Sequence, residues 1–236
     1  MRKLTLLISL FIGSSFSSYF LVNSSPSTVL KEISLEDHFI QLINSNSFNE
    51  KFIVPKRDIL SLGIKGYLKL KEEGNMPEGK PLTVIDFSLP STEKRMWIID
   101  MEDGIILHYG YVSHGRNSGE LMAQKFSNKN SSYMSSLGFY LTAETYQGKH
   151  GYSLRLDGLE PGFNDNARER AIVIHGAEYV REDFIKQTGR LGRSLGCPAL
   201  PLEITVEIID LIKGRSVLFI YGKDNNYLNQ SQFLNA

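Results

Sequence analysis

The spacing of apolar residues changes near residue 81. Before that point, apolar side chains recur at helical intervals, and a candidate helix from about Lys56 to Glu73 has the apolar stripe Ile59, Leu60, Ile64, Tyr67, Leu68 and Leu70. Ser34 precedes another such stretch and is a typical N-cap residue. These patterns predict a short helical lead-in over residues 26–80.

After residue 81, short apolar segments alternate with turn residues. The segments with this pattern are 82–87, 95–101, 105–112, 138–143, 152–156, 171–175 and 216–221. Asp103-Gly104 between the second and third segments is a strong hairpin signal. The pattern predicts a mainly β (α+β) domain over residues 81–222, interrupted by one helix near 203–213. Residues 223–236 are rich in Asn and Gln, which predicts a loose polar tail.

The N-terminus has the pattern of an export signal. Two basic residues precede the uncharged apolar run 4–12, and small polar residues follow it, which predicts a signal peptide over residues 1–24. The alternative is an N-terminal anchor, because apolar residues resume at 19–22. Membrane association is then expected only through residues 4–22. Both interpretations place the rest of the chain outside the cytoplasm, in the periplasm or associated with the cell envelope.

Charge and cysteine content exclude some classes of protein. The 236-residue chain has 26 basic and 26 acidic side chains, and this balance argues against nucleic-acid binding, which usually requires a basic excess. One cysteine excludes an intramolecular disulfide and a multi-cysteine zinc site. His114, His175 and Cys197 do not have the spacing of a known zinc site. We therefore expect neither a metal nor a cofactor.

Two segments carry candidate chemistry. The apolar run 172–174 ends in His175-Gly176, and the turn 192–199 contains Cys197, 22 residues after the histidine. A thiolate is a nucleophile, and a nearby imidazole can accept the thiol proton and pass it to a leaving amine. The alternatives are a buried structural cysteine and a hydrogen-bonded structural histidine.

The residues around the thiol favour the catalytic interpretation. Gly196 allows a sharp turn and leaves backbone N–H groups open to a developing oxyanion. Ser194 can form a hydrogen bond within the turn. Arg190 and Arg193 are nearby cations that favour a thiolate, and a free thiol is unusual in an exported protein.

Together these segments resemble the YkuD-type L,D-transpeptidases, and more closely the branch described as murein L,D-transpeptidase catalytic domain-like. The resemblance covers about residues 82–221. Its recurring segments are Ser113 to Gly119, Phe126 to Asn128, Ser135 to Tyr140, Gly151 to Gly158, Asn166 to Ala177 and Gly192 to Pro201. It implies a β-sandwich catalytic domain in an exported enzyme that remodels peptidoglycan.

The resemblance also implies roles for individual residues. Cys197 corresponds to the nucleophile, His175 to the general base, and the Gly176 carbonyl to the group that orients the imidazole. Ser194 and Gly196 correspond to fixed residues of the cysteine turn. The implied function is a cysteine acyltransferase that forms a thioester with peptidoglycan stem peptides. An amine then gives a crosslink, whereas water gives a trimmed stem (L,D-carboxypeptidase activity).

Two positions depart from the family pattern. Leu195 stands where the family usually has a second histidine, and Ala199 stands where it usually has Arg or Asn. Arg193 is a candidate contact for a stem-peptide carboxylate, the alternative being a solvated loop charge. His114 and Asn117, in a second His-Gly segment, are candidates to line the substrate cleft or to shape a turn.

Two other functions stay open at this point. The departures at Leu195 and Ala199 are compatible with a catalytically inactive cell-wall binding or scaffold protein of the same fold. Another exported thiol peptidase or amidase is the second alternative. Papain-like peptidases have the reverse order of Cys and His. Sortases have the right order, but here the next arginine after Cys197 is Arg215, 18 residues further on.

Overall fold

The structure, a computed structural model, describes residues 34–235. The predicted signal peptide or anchor lies outside the described residues. Within them the helices are α1 Leu35–Ser45, α2 Arg57–Glu72, α3 Glu182–Thr188, α4 Thr205–Ile212 and α5 Asn225–Gln230, with 3₁₀ turns at Ser47–Asn49, Arg116–Ser118 and Leu202–Ile204. Every helix in this part of the chain is too short or too polar to cross a bilayer.

The strands of the described residues form one eight-stranded sheet. They are β1 Leu82–Asp86, β2 Met96–Asp100, β3 Ile105–Gly110, β4 Gly138–Gly148, β5 Gly151–Gly158, β6 Val173–Gly176, β7 Ala199–Leu200 and β8 Val217–Tyr221. Their order is β3-β2-β1-β8-β4-β5-β6-β7, and the β1–β8 and β6–β7 pairs are parallel. The mainly β (α+β) class predicted from the sequence is confirmed. In place of two separate sheets, the strands follow one another in a single hydrogen-bonded sheet.

The helical lead-in packs directly on the sheet. The side chain of Ser34 caps α1 by accepting the Asp37 N–H at 3.1 Å. Helix α2 lies so close to β4 that a Cβ on Gly66 would collide with the Phe139 ring. Apolar residues of both helices belong to the same buried core as the strands. Burial of this apolar face stabilises the helices far more than their own propensity does.

The C-terminal residues are ordered, so the loose tail predicted from composition is wrong. Asp224 caps α5 by accepting the Tyr227 N–H at 3.0 Å, and Tyr227 is completely buried. The Tyr227 hydroxyl donates to Glu160 Oε2 at 2.9 Å, and the Ser231 hydroxyl donates to Glu160 Oε1. Glu160 also accepts the Phe139 N–H at 2.7 Å. This buried carboxylate holds the tail against the sheet, because its oxygens accept hydrogen bonds from the tail and from β4.

A second buried polar pair lies beside the loop 113–119. Arg95 and His114 are both fully buried, and Arg95 Nη2 donates to His114 Nδ1 at 2.8 Å. A guanidinium can only donate, so Nδ1 accepts and the proton of this imidazole is on Nε2, 3.3 Å from the Gly119 carbonyl oxygen. Burial and then the charge of Arg95 lower the pKa of His114 to about 3. His114 therefore stays neutral and internal. It is not among the residues that line the cleft, so of the two roles expected for it the structure fits the shaping of a turn.

Replacement of Tyr227 tests whether the tail is anchored. We expect Tyr227→Ala to lower the free energy of unfolding by about 3–5 kcal/mol, as for other large buried aromatic side chains. Urea unfolding measures this change. Asn229→Ala, on the exposed side of the same helix, is the matched control and should change stability by less than about 0.5 kcal/mol. Equal stability of the two variants would mean that the tail is detached in solution.

Replacement of His114 tests the buried neutral imidazole. Its folded pKa lies below its unfolded value, so its stabilising contribution is complete above about pH 6.5 and is lost as pH falls towards 3. Between pH 6 and pH 4, the free energy of unfolding of the native protein should fall by about 2–3 kcal/mol more than that of His114→Asn, which keeps an acceptor for Arg95. Urea titrations at both pH values measure the difference. Parallel pH profiles would contradict this assignment.

Candidate active site

The pairing of β6 with β7 brings the two predicted catalytic segments together. His175 is in register with Ala199, two residues after Cys197, and Gly176 is in register with Leu200. His175 and Cys197 consequently line the same cleft, of about 430 Å³. The cleft is lined by Tyr146, Lys149, His150, Arg170, Ala171, Val173, His175, Tyr179, Arg193, Ser194, Leu195 and Cys197.

Ser194 and Gly196 shape the cysteine turn. The Ser194 hydroxyl donates to the Cys197 carbonyl at 2.6 Å and accepts the Gly196 N–H at 3.0 Å. Gly196 has φ +124°, and a Cβ there would lie 2.8 Å from the Met134 carbonyl oxygen, so only glycine fits. The N–H of Gly196 is thus occupied by Ser194, so it is not among the backbone N–H groups of the turn that are open to an oxyanion.

Cys197 is half-buried and unbridged. Its Sγ lies 3.6 Å from the carbonyl oxygen of Ala171. Burial raises the pKa of the thiol, while a backbone hydrogen bond from Val173 and the charge of Arg170 lower it. The balance lies above the ordinary cysteine value, so the group is a thiol at neutral pH.

His175 is buried at the end of β6 and held in one tautomer. Its Nδ1 is 2.9 Å from the Gly176 carbonyl oxygen, which can only accept, so Nδ1 carries the proton and the lone pair is on Nε2. Burial lowers the pKa of His175, the Gly176 hydrogen bond raises it, and the charge of His150 lowers it. A neutral imidazole with a free Nε2 lone pair is the form that a general base requires.

Two of the expected substrate contacts have other partners. Arg193 lines the cleft, but its Nη1 donates to Glu120 Oε1 at 2.7 Å and to two backbone carbonyls at 3.0 Å. Asn117 is exposed and lies outside the cleft lining, and its amide donates to the Ser132 carbonyl at 2.8 Å. Asn117 therefore ties two loops together, and Arg193 shares the carboxylate of Glu120 with Arg190.

The structure adds cleft residues that the local sequence pattern does not single out. His150, at the tip of the β4–β5 hairpin, stacks on His175 with ring centroids 4.4 Å apart. Arg170 precedes β6 and reaches the cleft from a loop. Both lie in irregular segments, and their partners in the fold are 25 or more residues away along the chain. Arg170 falls within the recurring segment Asn166 to Ala177, but the segment by itself does not distinguish it from its neighbours.

The described residues offer no metal site. Among residues 34–235, no group of three or more His, Cys, Asp or Glu side chains is close enough to hold an ion. The groups present at the cleft are instead a thiol, two imidazoles and cationic side chains, which are suited to acyl transfer through a cysteine.

The sequence was compared with models of protein families and with curated proteins. A family model described as L,D-transpeptidase catalytic domain matches residues 54–221. No curated protein matches the chain. The match to the family model begins within the helical lead-in and therefore includes α2. The sequence motifs covered only about residues 82–221.

Solved structures similar to this chain include several L,D-transpeptidases. The enzyme from Mycobacterium smegmatis has a TM-score of 0.37 and 13% identity over 61% of this chain and 59% of its own. A mutant of the Enterococcus faecium enzyme has a TM-score of 0.35 and 13% identity over 62% of this chain and 50% of its own. The enzyme from Xylanimonas cellulosilytica has a TM-score of 0.35 and 13% identity over 65% of this chain and 68% of its own. The chain thus spans about half to two thirds of these structures.

The family assignment rests on the model match and not on these distant likenesses. The match covers more than half of the chain and includes every strand of the sheet and the cysteine turn. It confirms the resemblance seen in the motifs. The protein belongs to the L,D-transpeptidase catalytic-domain family.

Proposed function

We propose that this protein is an exported cysteine acyltransferase that acts on peptidoglycan stem peptides. The observation that carries the proposal is the β6–β7 register, which places His175 and Cys197 in one cleft while the Gly176 carbonyl fixes the imidazole. Export is supported by the signal-like pattern of residues 1–24.

The first half-reaction is acylation of the thiol. Cys197 Sγ attacks the carbonyl carbon of the third stem residue as its proton passes to His175 Nε2, forming the S–C bond and an oxyanion. The tetrahedral intermediate collapses, the C–N bond breaks, and His175 gives the proton to the amine of the departing D-amino acid. A thioester on Cys197 is left. These steps need no cofactor or metal.

The second half-reaction resolves the thioester. An amine of a neighbouring stem attacks the thioester carbonyl, gives a proton to His175, and yields a crosslink as the thiol is released. Water in the same role yields a trimmed stem. Which product dominates depends on how well the cleft excludes water from the acyl-enzyme.

The oxyanion requires a donor other than Gly196. The N–H of Cys197 makes no hydrogen bond within residues 34–235, and it belongs to the turn that also carries the attacking sulfur. We assign it to the oxyanion. Such backbone donors can supply a large share of transition-state stabilisation because their direction is set before the reaction.

The charges of the cleft suit an anionic substrate. Lys149 and Arg170 line it together with Cys197, whereas Arg193 is paired with Glu120. Stem peptides end in carboxylates, so the charge of Lys149 supplies attraction that the overall charge balance of the chain does not, whereas the Arg170 guanidinium already donates to the Ser127 and Met134 carbonyls. Arg193 is the candidate for a further contact only where a substrate carboxylate displaces Glu120.

The pKa directions predict that the resting pair is neutral. We expect alkylation of Cys197 by iodoacetamide to rise about tenfold per pH unit above pH 7, with a midpoint above the ordinary cysteine value, because the thiolate is the reactive form. Mass spectrometry measures the rate. Since the chain has one cysteine, labelling reports Cys197 alone. A rate that is already constant between pH 6 and 7 would instead indicate a preformed thiolate–imidazolium pair.

Incubation with muropeptides tests the reaction itself. The purified mature chain should form a mass adduct on Cys197 and release a D-amino acid. Cys197→Ala should abolish both, and His175→Gln should lower the rate about 10²–10⁴-fold. His38→Gln, an exposed position far along the chain, is the control. The ratio of crosslinked to trimmed stems distinguishes transpeptidase from carboxypeptidase activity.

Two results of that experiment would contradict the proposal. Muropeptide binding that is equal in the native chain and Cys197→Ala, with no conversion, would indicate an inactive cell-wall binding protein; the exposed Leu195 and the buried Ala199 at the turn make this the second candidate. Cleavage of other amide substrates without any action on stems would indicate another thiol peptidase or amidase.

A further inference from the structure

Arg170 occupies an unusual position beside the cysteine turn. Its guanidinium donates to the carbonyls of Ser127 and Met134 at 2.7 Å each, and to the hydroxyls of Ser136 and Ser132 at 3.1 and 3.2 Å. All four acceptors lie in the segment 127–136. One side chain thus holds a loop that contains two left-handed non-glycine residues, Ser131 and Tyr133.

That loop supports the cysteine turn from behind. Ser135 donates to the Gly196 carbonyl at 3.3 Å, and a Cβ on Gly196 would lie 2.8 Å from the Met134 carbonyl oxygen. The same Cβ would lie 3.4 Å from Arg170 Nη2. Arg170 and Gly196 are therefore both bonded to this loop, and the residue that follows Gly196 is Cys197.

The charge of Arg170 is not neutralised by an acidic partner. Its four acceptors are neutral, and it takes part in no salt bridge among residues 34–235. Arg193, by contrast, is paired with Glu120, and Arg168 with Glu144 and Asp157. Pro198 and Ala199 bring no charge to the other side of the turn. Arg170 and Lys149 are therefore the cations of the cleft that make no salt bridge among residues 34–235, and of the two only Arg170 also holds the loop behind the cysteine turn.

Other groups face Cys197 across the cleft. The titratable and charged ones are Tyr146, Lys149, His150, His175, Tyr179 and Arg193. Arg170 is the one whose positive charge lowers the pKa of Cys197 against the effect of burial. Burial lowers the pKa of Arg170 itself, and the charges of Tyr140 and Cys197 oppose that shift. In a half-buried cleft this attraction is screened less than at the surface.

We propose that Arg170 is a positioning residue for Cys197, which holds the loop 127–136 behind the cysteine turn and presents an unpaired positive charge to the thiolate formed during acylation. The proposal rests on the proposed function for the identity of the acylated group. Its effect on the thiol, however, can be measured without any substrate.

The test compares Arg170→Met with Arg168→Met in the full mature chain. Removal of the Arg170 charge should shift the iodoacetamide pH profile of Cys197 upwards and lower the alkylation rate at pH 7 by about three- to tenfold. Arg168→Met removes an exposed, paired charge two residues away and should leave the profile unchanged. A folded Arg170→Met with the native pH profile would overturn the proposal, as would an equal shift in Arg168→Met.

Two further variants keep the test decisive if Arg170→Met does not fold. Arg170→Lys retains the charge, and its alkylation rate at pH 7 should stay within a factor of two of the native rate. Arg170→Gln retains hydrogen-bond donors without the charge, and the pH profile of its Cys197 alkylation should shift upwards as in Arg170→Met. A native-like Gln profile or a shifted Lys profile would show that the charge has no role.

Turnover separates this inference from the proposed function. With muropeptides, Arg170→Met should lower kcat by about the same factor as the alkylation rate and leave KM within a factor of two. If the native chain converts no muropeptide but the Arg170 variants shift the thiol profile as expected, the proposed function fails and the positioning role stands. Normal turnover with an unchanged kcat in Arg170→Met would overturn the positioning role alone.

Discussion

The two-residue parallel pairing of β6 with β7 is the constraint on which the site depends. Strand β7 comprises only Ala199 and Leu200, yet it is bonded on both sides: the Ser113 N–H donates to the Ala199 carbonyl and the Ala177 N–H to the Leu200 carbonyl, each at 2.9 Å. Strand β6 is in turn paired with β5. The thiol is therefore fixed, through a few backbone hydrogen bonds, to the same sheet that carries the imidazole.

Burial of this site sets the protonation of both reactive groups. Low polarity disfavours the charged form of each, so the thiol pKa rises and the imidazole pKa falls. The pair is therefore neutral in the folded protein, and in the acylation that we propose charge develops only as the sulfur attacks. In that proposal, the fixed groups that favour the developing charge are the backbone N–H of Cys197 and the guanidinium of Arg170.

Buried polar groups away from the cleft hold the surrounding loops. Arg95 donates to the carbonyls of Leu89 and Val112 as well as to His114, and Glu160 joins β4 to the C-terminal tail. The Arg95 guanidinium and the Glu160 carboxylate are both hydrogen-bonded to several partners. Loss of one partner would leave a buried polar atom without a hydrogen bond. The irregular segments beside Arg95 and Glu160 thus have defined conformations without belonging to regular secondary structure.

The sequence by itself determined the elements with strong local signals. The α2 periodicity, the Asp103-Gly104 hairpin and the strand before His175 can be read from neighbouring residues, and the motifs around Cys197 indicated the family. Only the tertiary structure decided the burial of His114, the order of the tail, strand β7 and the positions of His150 and Arg170. The physical reason is that these features depend on partners far along the chain. A polar residue looks the same in sequence whether it meets water or a buried carboxylate, and a two-residue strand has no periodicity.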